Sequence, residues 1–115
     1  MALQKEIKSK SGATGNYMAV HAISINNETK RLDYSVALYV DQVAKKAGAA
    51  PLEIVYQGSI ENAMPDNPLA QCYADMAAKA AAMREDKVEI DGELKTFTAP
   101  EDQRANELFF EAEEV

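Results

Sequence analysis

One histidine, His21, and one cysteine, Cys72, are the side chains of this sequence best suited to proton transfer or nucleophilic attack. A general base or a metal ligand needs an orienting carboxylate or companion ligands beside it. His21 has neither near it in sequence, and it shares a strand face with Tyr17 and Ile23, the setting of an ordinary strand histidine. Cys72 lies on an apolar helical stripe, whereas a reactive thiolate needs an electropositive, partly exposed site. A lone cysteine also excludes an internal disulfide and a cysteine-based zinc site. Acid pairs occur at Glu85-Asp86, Glu89-Asp91, Glu101-Asp102 and Glu113-Glu114. They fall at turns and helix ends, where carboxylates are solvated or act as caps, and Asp86 to Glu93 lacks the alternating oxygen ligands of a calcium loop. Gly12-Ala13-Thr14-Gly15 has no Gly-Lys-Ser/Thr ending and is too short for a phosphate loop. The sequence therefore assigns no catalytic, cofactor-binding or metal residue, expects no cofactor, and points away from an enzyme.

The remaining chemistry is that of contact. Tyr17, Tyr34, Tyr39 and Tyr56 stand at strand positions, where tyrosines serve either sheet packing or an interface, and these four are the expected interface residues. Charge divides along the chain. Residues 1–50 carry seven Lys/Arg against four acids, a net +3, and residues 51–115 carry five against fifteen, a net -10. The overall -7 disfavours direct nucleic-acid binding, since phosphate contacts need clustered Lys/Arg. No run approaches the roughly 18 apolar residues of a membrane span, and Met1 to Lys10 does not read as a signal peptide. A soluble, cytosolic or virion-type protein without membrane contact is expected. At 115 residues the chain has room for one domain with a modest core.

The elements that position these residues follow from periodicity. Tyr17 to Ile25 and Leu32 to Val40 alternate with period two around the polar turn Asn26 to Lys30, which predicts an antiparallel hairpin. In strict alternation Tyr17, Ala19, His21, Ile23 and Ile25 share one face, leaving both faces of the first strand apolar. Leu3 to Ser9 is a weak strand signal ahead of a flexible stretch, so residues 1–15 are read as a flexible N-terminal arm on a single domain, 1–115. Asp41 caps a short helix, 42–47, that Gly48 ends, and Leu52 to Tyr56 forms a third strand. Asn67-Pro68 opens a helix to about Arg84, with seven alanines between Ala70 and Ala82 and a stripe of Leu69, Cys72, Tyr73, Met76, Ala77, Ala80 and Met83. Lys87 to Thr98 is a second hairpin, where pairing Ile90 with Leu94 favours a three-residue loop, Asp91 to Glu93, over the two-residue Asp91-Gly92 turn. A capping box, Thr98 to Glu101, starts a C-terminal helix whose acidic end should fray unless something basic binds it.

The fold class is therefore α+β: a small antiparallel sheet of three to five strands, with the Ala-rich helix on one face and a C-terminal helix at one end.

Asn16-Tyr17, the strand Val20 to Ile25, the polar turn, the strand ending in Tyr39-Val40 and the connector Ala44 through Ala47-Gly48-Ala49-Ala50-Pro51-Leu52 form a pattern over residues 16–52. It resembles small proteins of the tail and baseplate gene module of tailed bacteriophages and prophages. The chain departs from the pattern at Ala49-Ala50, where those proteins often carry a Lys-Pro-type step, and the resemblance brings no functional residues with it. It implies a structural part of a virion, assembled in the host cytoplasm, that docks with itself or with other virion proteins. The rival expectation, drawn from the acidic second half, is a small inhibitor or regulator that binds a basic nucleic-acid-binding host protein.

Overall fold

The computed structural model describes residues 2–115, which form seven strands and three helices. Strands β1 (Leu3–Lys8), β2 (Thr14–Asn26), β3 (Arg31–Tyr39), β4 (Glu53–Ile60) and β7 (Glu113–Glu114) make one antiparallel sheet in the order β4-β3-β2-β1-β7. Helices α2 (Pro68–Ala81) and α3 (Gln103–Phe109) pack together on one face of it, and the short α1 (Gln42–Lys46) follows β3 at one end. Strands β5 (Met83–Ile90) and β6 (Glu93–Pro100) pair only with each other. The α+β class is that expected, and the five-stranded sheet falls within the expected three to five strands, with the Ala-rich helix on one face.

The β2–β3 hairpin carries most of the sheet, and a bulge between Val20 and Ala22 reassigns its faces. Met18 and Val20 lie opposite Leu38 and Val36 under the helices, and beyond the bulge Ile23 and Ile25 lie opposite Tyr34 and Leu32. The extra residue returns these two isoleucines to the helix face, so strict alternation, which put them with Tyr17, is corrected. The open face is left with Tyr17, Ala19, Ala22 and Ser24 on β2 and Ala37, Ser35 and Asp33 on β3. The apolar core thus sits on one side. Met18, Leu32, Val36, Leu38, Met76 and Leu108 are fully buried in it, and burying each such side chain contributes about 1.5–3 kcal/mol.

Three further expectations change. Residues 3–8 are a strand held by β2 on one side and β7 on the other, and residues 14–15 begin β2, so apart from the 9–13 turn the expected arm 1–15 is built into the sheet; Met1 lies outside the described residues. α2 ends at Ala81, because Met83 and Arg84 already pair with Pro100 and Ala99 in the second hairpin. Thr98 belongs to β6, and α3 is capped by Asp102, whose carboxylate accepts from the Ala105 amide at 3.0 Å. The acidic chain end meets the basic partner that the sequence calls for. The Lys5 ammonium donates to the Glu107 and Phe110 carbonyls at 2.7 and 2.9 Å, closing the C-terminal turn of α3, and Glu113–Glu114 then pairs with β1. At the other end Asp41 caps α1 as expected, accepting from the Ala44 amide, and Gly48 follows with φ +81°.

Candidate interaction surface

Of the four tyrosines expected at an interface, Tyr34 and Tyr56 are internal struts to the helices, and Tyr17 and Tyr39 pack on the open face of the sheet. Tyr34, Tyr39 and Tyr56 are buried and Tyr17 is half-buried. The Tyr34 hydroxyl donates to Asp75 Oδ2 of α2 at 2.6 Å, and Asp75 also pairs with Lys79 Nζ at 2.8 Å, which in turn donates to the Ser59 carbonyl of β4. The Tyr56 hydroxyl donates to Asp102 Oδ2 at 2.8 Å, tying the cap of α3 to β4. Burial first, then the carboxylate each one faces, pushes the pKa of Tyr34 and Tyr56 above the ordinary tyrosine value. Both therefore stay neutral donors. Tyr39 and Tyr17 stack edge-to-face on the opposite side of the sheet, with the Lys45 ammonium over the Tyr39 ring.

The two residues singled out for chemistry lie in unlike places. Cys72 is fully buried in the helix–sheet core, and burial, with Asp75 nearby, raises its thiol to about 11. Such a thiol is protonated and unreactive at neutral pH. His21 is exposed at the bulge.

On the open face, Arg31, Asp33 and Ser59 make a polar cluster beside a shallow depression floored by Ala22 and Ser35. Ser59 Oγ donates to Asp33 Oδ1 at 2.6 Å, and Arg31 Nε reaches the same oxygen at 3.1 Å. These contacts, Ser59 first and Arg31 second, hold Asp33 below the usual carboxylate range. A carboxylate stabilised in this way is a poor base, so the Ser–Asp contact does not make an activated nucleophile. Among the described residues, no group of three or more His, Cys, Asp or Glu is placed to hold a metal, and no helix is long and apolar enough to cross a membrane.

The feature that sequence reasoning missed is the second hairpin as a projection. Every residue of β5, and of β6 up to Thr98, is exposed, and the hairpin is closed at its root by the Glu101 amide donating to the Ala82 carbonyl. Its turn is the two-residue Asp91-Gly92, with φ +52° and +79°, so Ile90 pairs with Glu93 and Glu89 with Leu94. The expected three-residue loop is corrected, because neither face packs on a core and turn chemistry alone sets the register. In this register Val88, Ile90 and Phe97 share one face, with Leu94 and Met83 on the other. Leu94 is 67% and Phe97 47% exposed.

The projection shows in the whole-molecule dimensions. The radius of gyration is 16.7 Å, where about 13 Å is usual for a compact chain of this length. The accessible surface is 7476 Å², where a compact monomer of 12.6 kDa exposes about 6,200 Å². The arrangement is that of a small α+β body carrying an exposed β-hairpin. Comparison of the chain with family models, with curated proteins and with solved structures gave no match.

Proposed function

We propose that this chain is a non-catalytic assembly component of a bacteriophage virion, in the tail or baseplate, that works by docking its β5–β6 hairpin onto neighbouring protein. The hairpin itself carries the docking role, and the resemblance over residues 16–52 supplies the virion setting. A lone two-stranded hairpin is marginal in water and gains stability from a third strand or a covering surface. Here both outer edges are unpaired among the described residues, and Val88, Ile90 and Phe97 lie on one uncovered face. The surface beyond that of a compact monomer, on the order of 1,300 Å², exceeds the ~800 Å² that each partner buries in a stable interface.

The polar struts support the same reading from the other side. They fix α2 and α3 to the sheet through Asp75 and Asp102, so the body is a rigid base from which the hairpin is presented.

The test is to purify particles from cells producing the wild-type chain or the double variant Val88→Ser, Phe97→Ser. Wild-type protein is expected in the particles and the variant is expected to remain free. Equal recovery of both removes the hairpin from the proposed role, and absence of both removes the virion role.

The second reading, an acidic inhibitor of a basic host protein, draws on Glu85, Glu89, Asp91 and Glu93 of the hairpin. Salt separates the two. Rim charges lose their reach as the Debye length falls from about 10 Å at 0.1 M to about 3 Å at 1 M, while an apolar contact persists. A complex that dissociates completely at 1 M salt favours the inhibitor.

A further inference from the structure

We infer that the partner of the hairpin is a second copy of this chain, and that the hairpin docks on the lysine-bearing end of that copy's sheet, head to tail. The inference rests on the docking role proposed above and adds the identity and the place of the partner. It starts from two surfaces whose charges the single chain leaves unpaired. On the hairpin, Glu85, Glu89, Asp91 and Glu93 form no ion pair among the described residues, and only Asp86 does, with Arg84 at 3.4 Å. Five acids and three bases between Met83 and Pro100 leave the hairpin at net -2.

The opposite sign gathers where the 9–13 turn, α1 and the start of β4 meet. The contacts that bring these segments together are backbone ones: Asn16 N to Val40 O at 3.1 Å, Leu52 N to Leu38 O at 2.7 Å, and Lys8 opposite Thr14. Lys8, Lys10, Lys45 and Lys46 cluster there, and none of them forms an ion pair among the described residues. Of the local acids, Asp41 is engaged by Ala44 N at 2.7 Å and Glu53 by Lys10 N at 2.8 Å, while Glu6 lines the depression beside Val40; four lysines against these three acids leave the end net positive. The same end exposes apolar side chains, Val43 at 75% and Val40 at 50%. Each surface thus offers an apolar centre rimmed by charge, and the rims are of opposite sign.

Complementary rims select the partner and its orientation, while the apolar centres supply persistence. The excess surface of each chain is enough for one interface of standard size. Because the two surfaces differ, the contact is heterologous, so repeated copies close into a ring or extend as a filament.

The test uses sedimentation velocity on the full chain with two charge reversals, Glu89→Lys with Glu93→Lys on the hairpin, and Lys45→Glu with Lys46→Glu on α1. All four sites are exposed, and an unchanged melting temperature establishes that each variant is folded. The wild-type chain is expected to associate, and each reversal to weaken association at least about tenfold, since like charges then face each other. Mixing the two variants is expected to restore association, because the hairpin of each then meets an end of opposite sign on the other. Association that survives the α1 reversal overturns the head-to-tail contact. A wild-type chain that stays monomeric up to about 1 mM overturns the second copy as partner. In that case recovery of the protein in purified particles leaves the docking role standing with another partner, and its absence there removes both.

Discussion

Replacing Tyr34 by Phe keeps the ring in the core and removes only the hydroxyl that donates to Asp75 Oδ2 at 2.6 Å. A hydrogen bond to a charged acceptor contributes about 1.5–3 kcal/mol. The lower end applies here, because the Asp75 side chain is 19% exposed and keeps Lys79 at 2.8 Å after the change. A loss of about 1.5 kcal/mol corresponds to a fall of about 6 °C in melting temperature for a chain of this size. In urea it moves the midpoint by about 1 M if the slope is near 1.5 kcal/mol/M, with the slope itself unchanged. The partner is checked by combining Tyr34→Phe with Asp75→Asn, where a coupling of about 1 kcal/mol is expected. Alkali gives a second readout. Burial and then Asp75 raise the Tyr34 pKa above its unfolded value of about 10, so its contribution is full below that pH and is lost as pH rises toward the folded value. The Phe variant should therefore lose less stability than wild type in that window. Strict additivity of the two substitutions, with no change in the alkaline limb, refutes the strut and returns Tyr34 to the role of an ordinary core ring.

The other predictions concern the same framework. Gly58→Ala should destabilise by about 1–3 kcal/mol in denaturant unfolding, because a methyl group there falls within the Tyr34 ring, and a neutral result contradicts that packing. Asp102 is held below the usual carboxylate range: burial opposes this, but the Ala105 amide and the Tyr56 hydroxyl outweigh it. Its contribution is therefore present above the unfolded value of about 3.9 and lost as pH falls through the lower folded value. Asp102→Ala should cost about 1–2 kcal/mol at neutral pH and flatten the acid limb of a stability–pH profile. Cys72, with its thiol raised to about 11, should resist alkylation at pH 8 in the native chain and react in urea, and fast native labelling contradicts its burial. Cys72→Ala should cost on the order of 1 kcal/mol through lost packing.

What the sequence made legible is what local rules decide. The β2–β3 hairpin, the Asp41 cap with its Gly48 stop, and the Asn67-Pro68 start of α2 each rest on a few adjacent residues. The errors came where a distant contact overrides a local signal. Thr98 to Glu101 reads as a capping box, yet Thr98 and Ala99 are held in β6 by pairing with Glu85 and Arg84, so the cap passes to Asp102. Leu3 to Lys8 reads as an arm because its strand signal is weak, and only β7, more than a hundred residues later, supplies its second neighbour. The bulge at His21 has no signal in a strictly alternating pattern, and it moves Ile23 and Ile25 to the other face. The tyrosines were correctly placed on strands, but the anchoring of Tyr34 and Tyr56 depends on Asp75 and Asp102, which the local sequence does not tie to them.

The β5–β6 hairpin is the one segment whose pattern the chain's own folding does not explain. Strands packed on a core acquire an apolar face, as β3 does with Leu32, Tyr34, Val36 and Leu38. In β5 and β6 every cross-strand pair from Ile90–Glu93 to Asp86–Phe97 combines an apolar or neutral residue with a charged one. Fixing the backbone costs about 1–2 kcal/mol per residue, and a hairpin exposed throughout recovers little of that by burial within its own chain. The turn nevertheless specifies the hairpin strongly, since Asp91-Gly92 supplies both left-handed residues of the favoured two-residue connection. A turn that pre-forms two strands lowers the ordering cost of a later binding event without raising the stability of the free body. In the docking proposed above that ordering would be recovered, and Val88, Ile90 and Phe97, exposed in the single chain, are the side chains positioned to recover it.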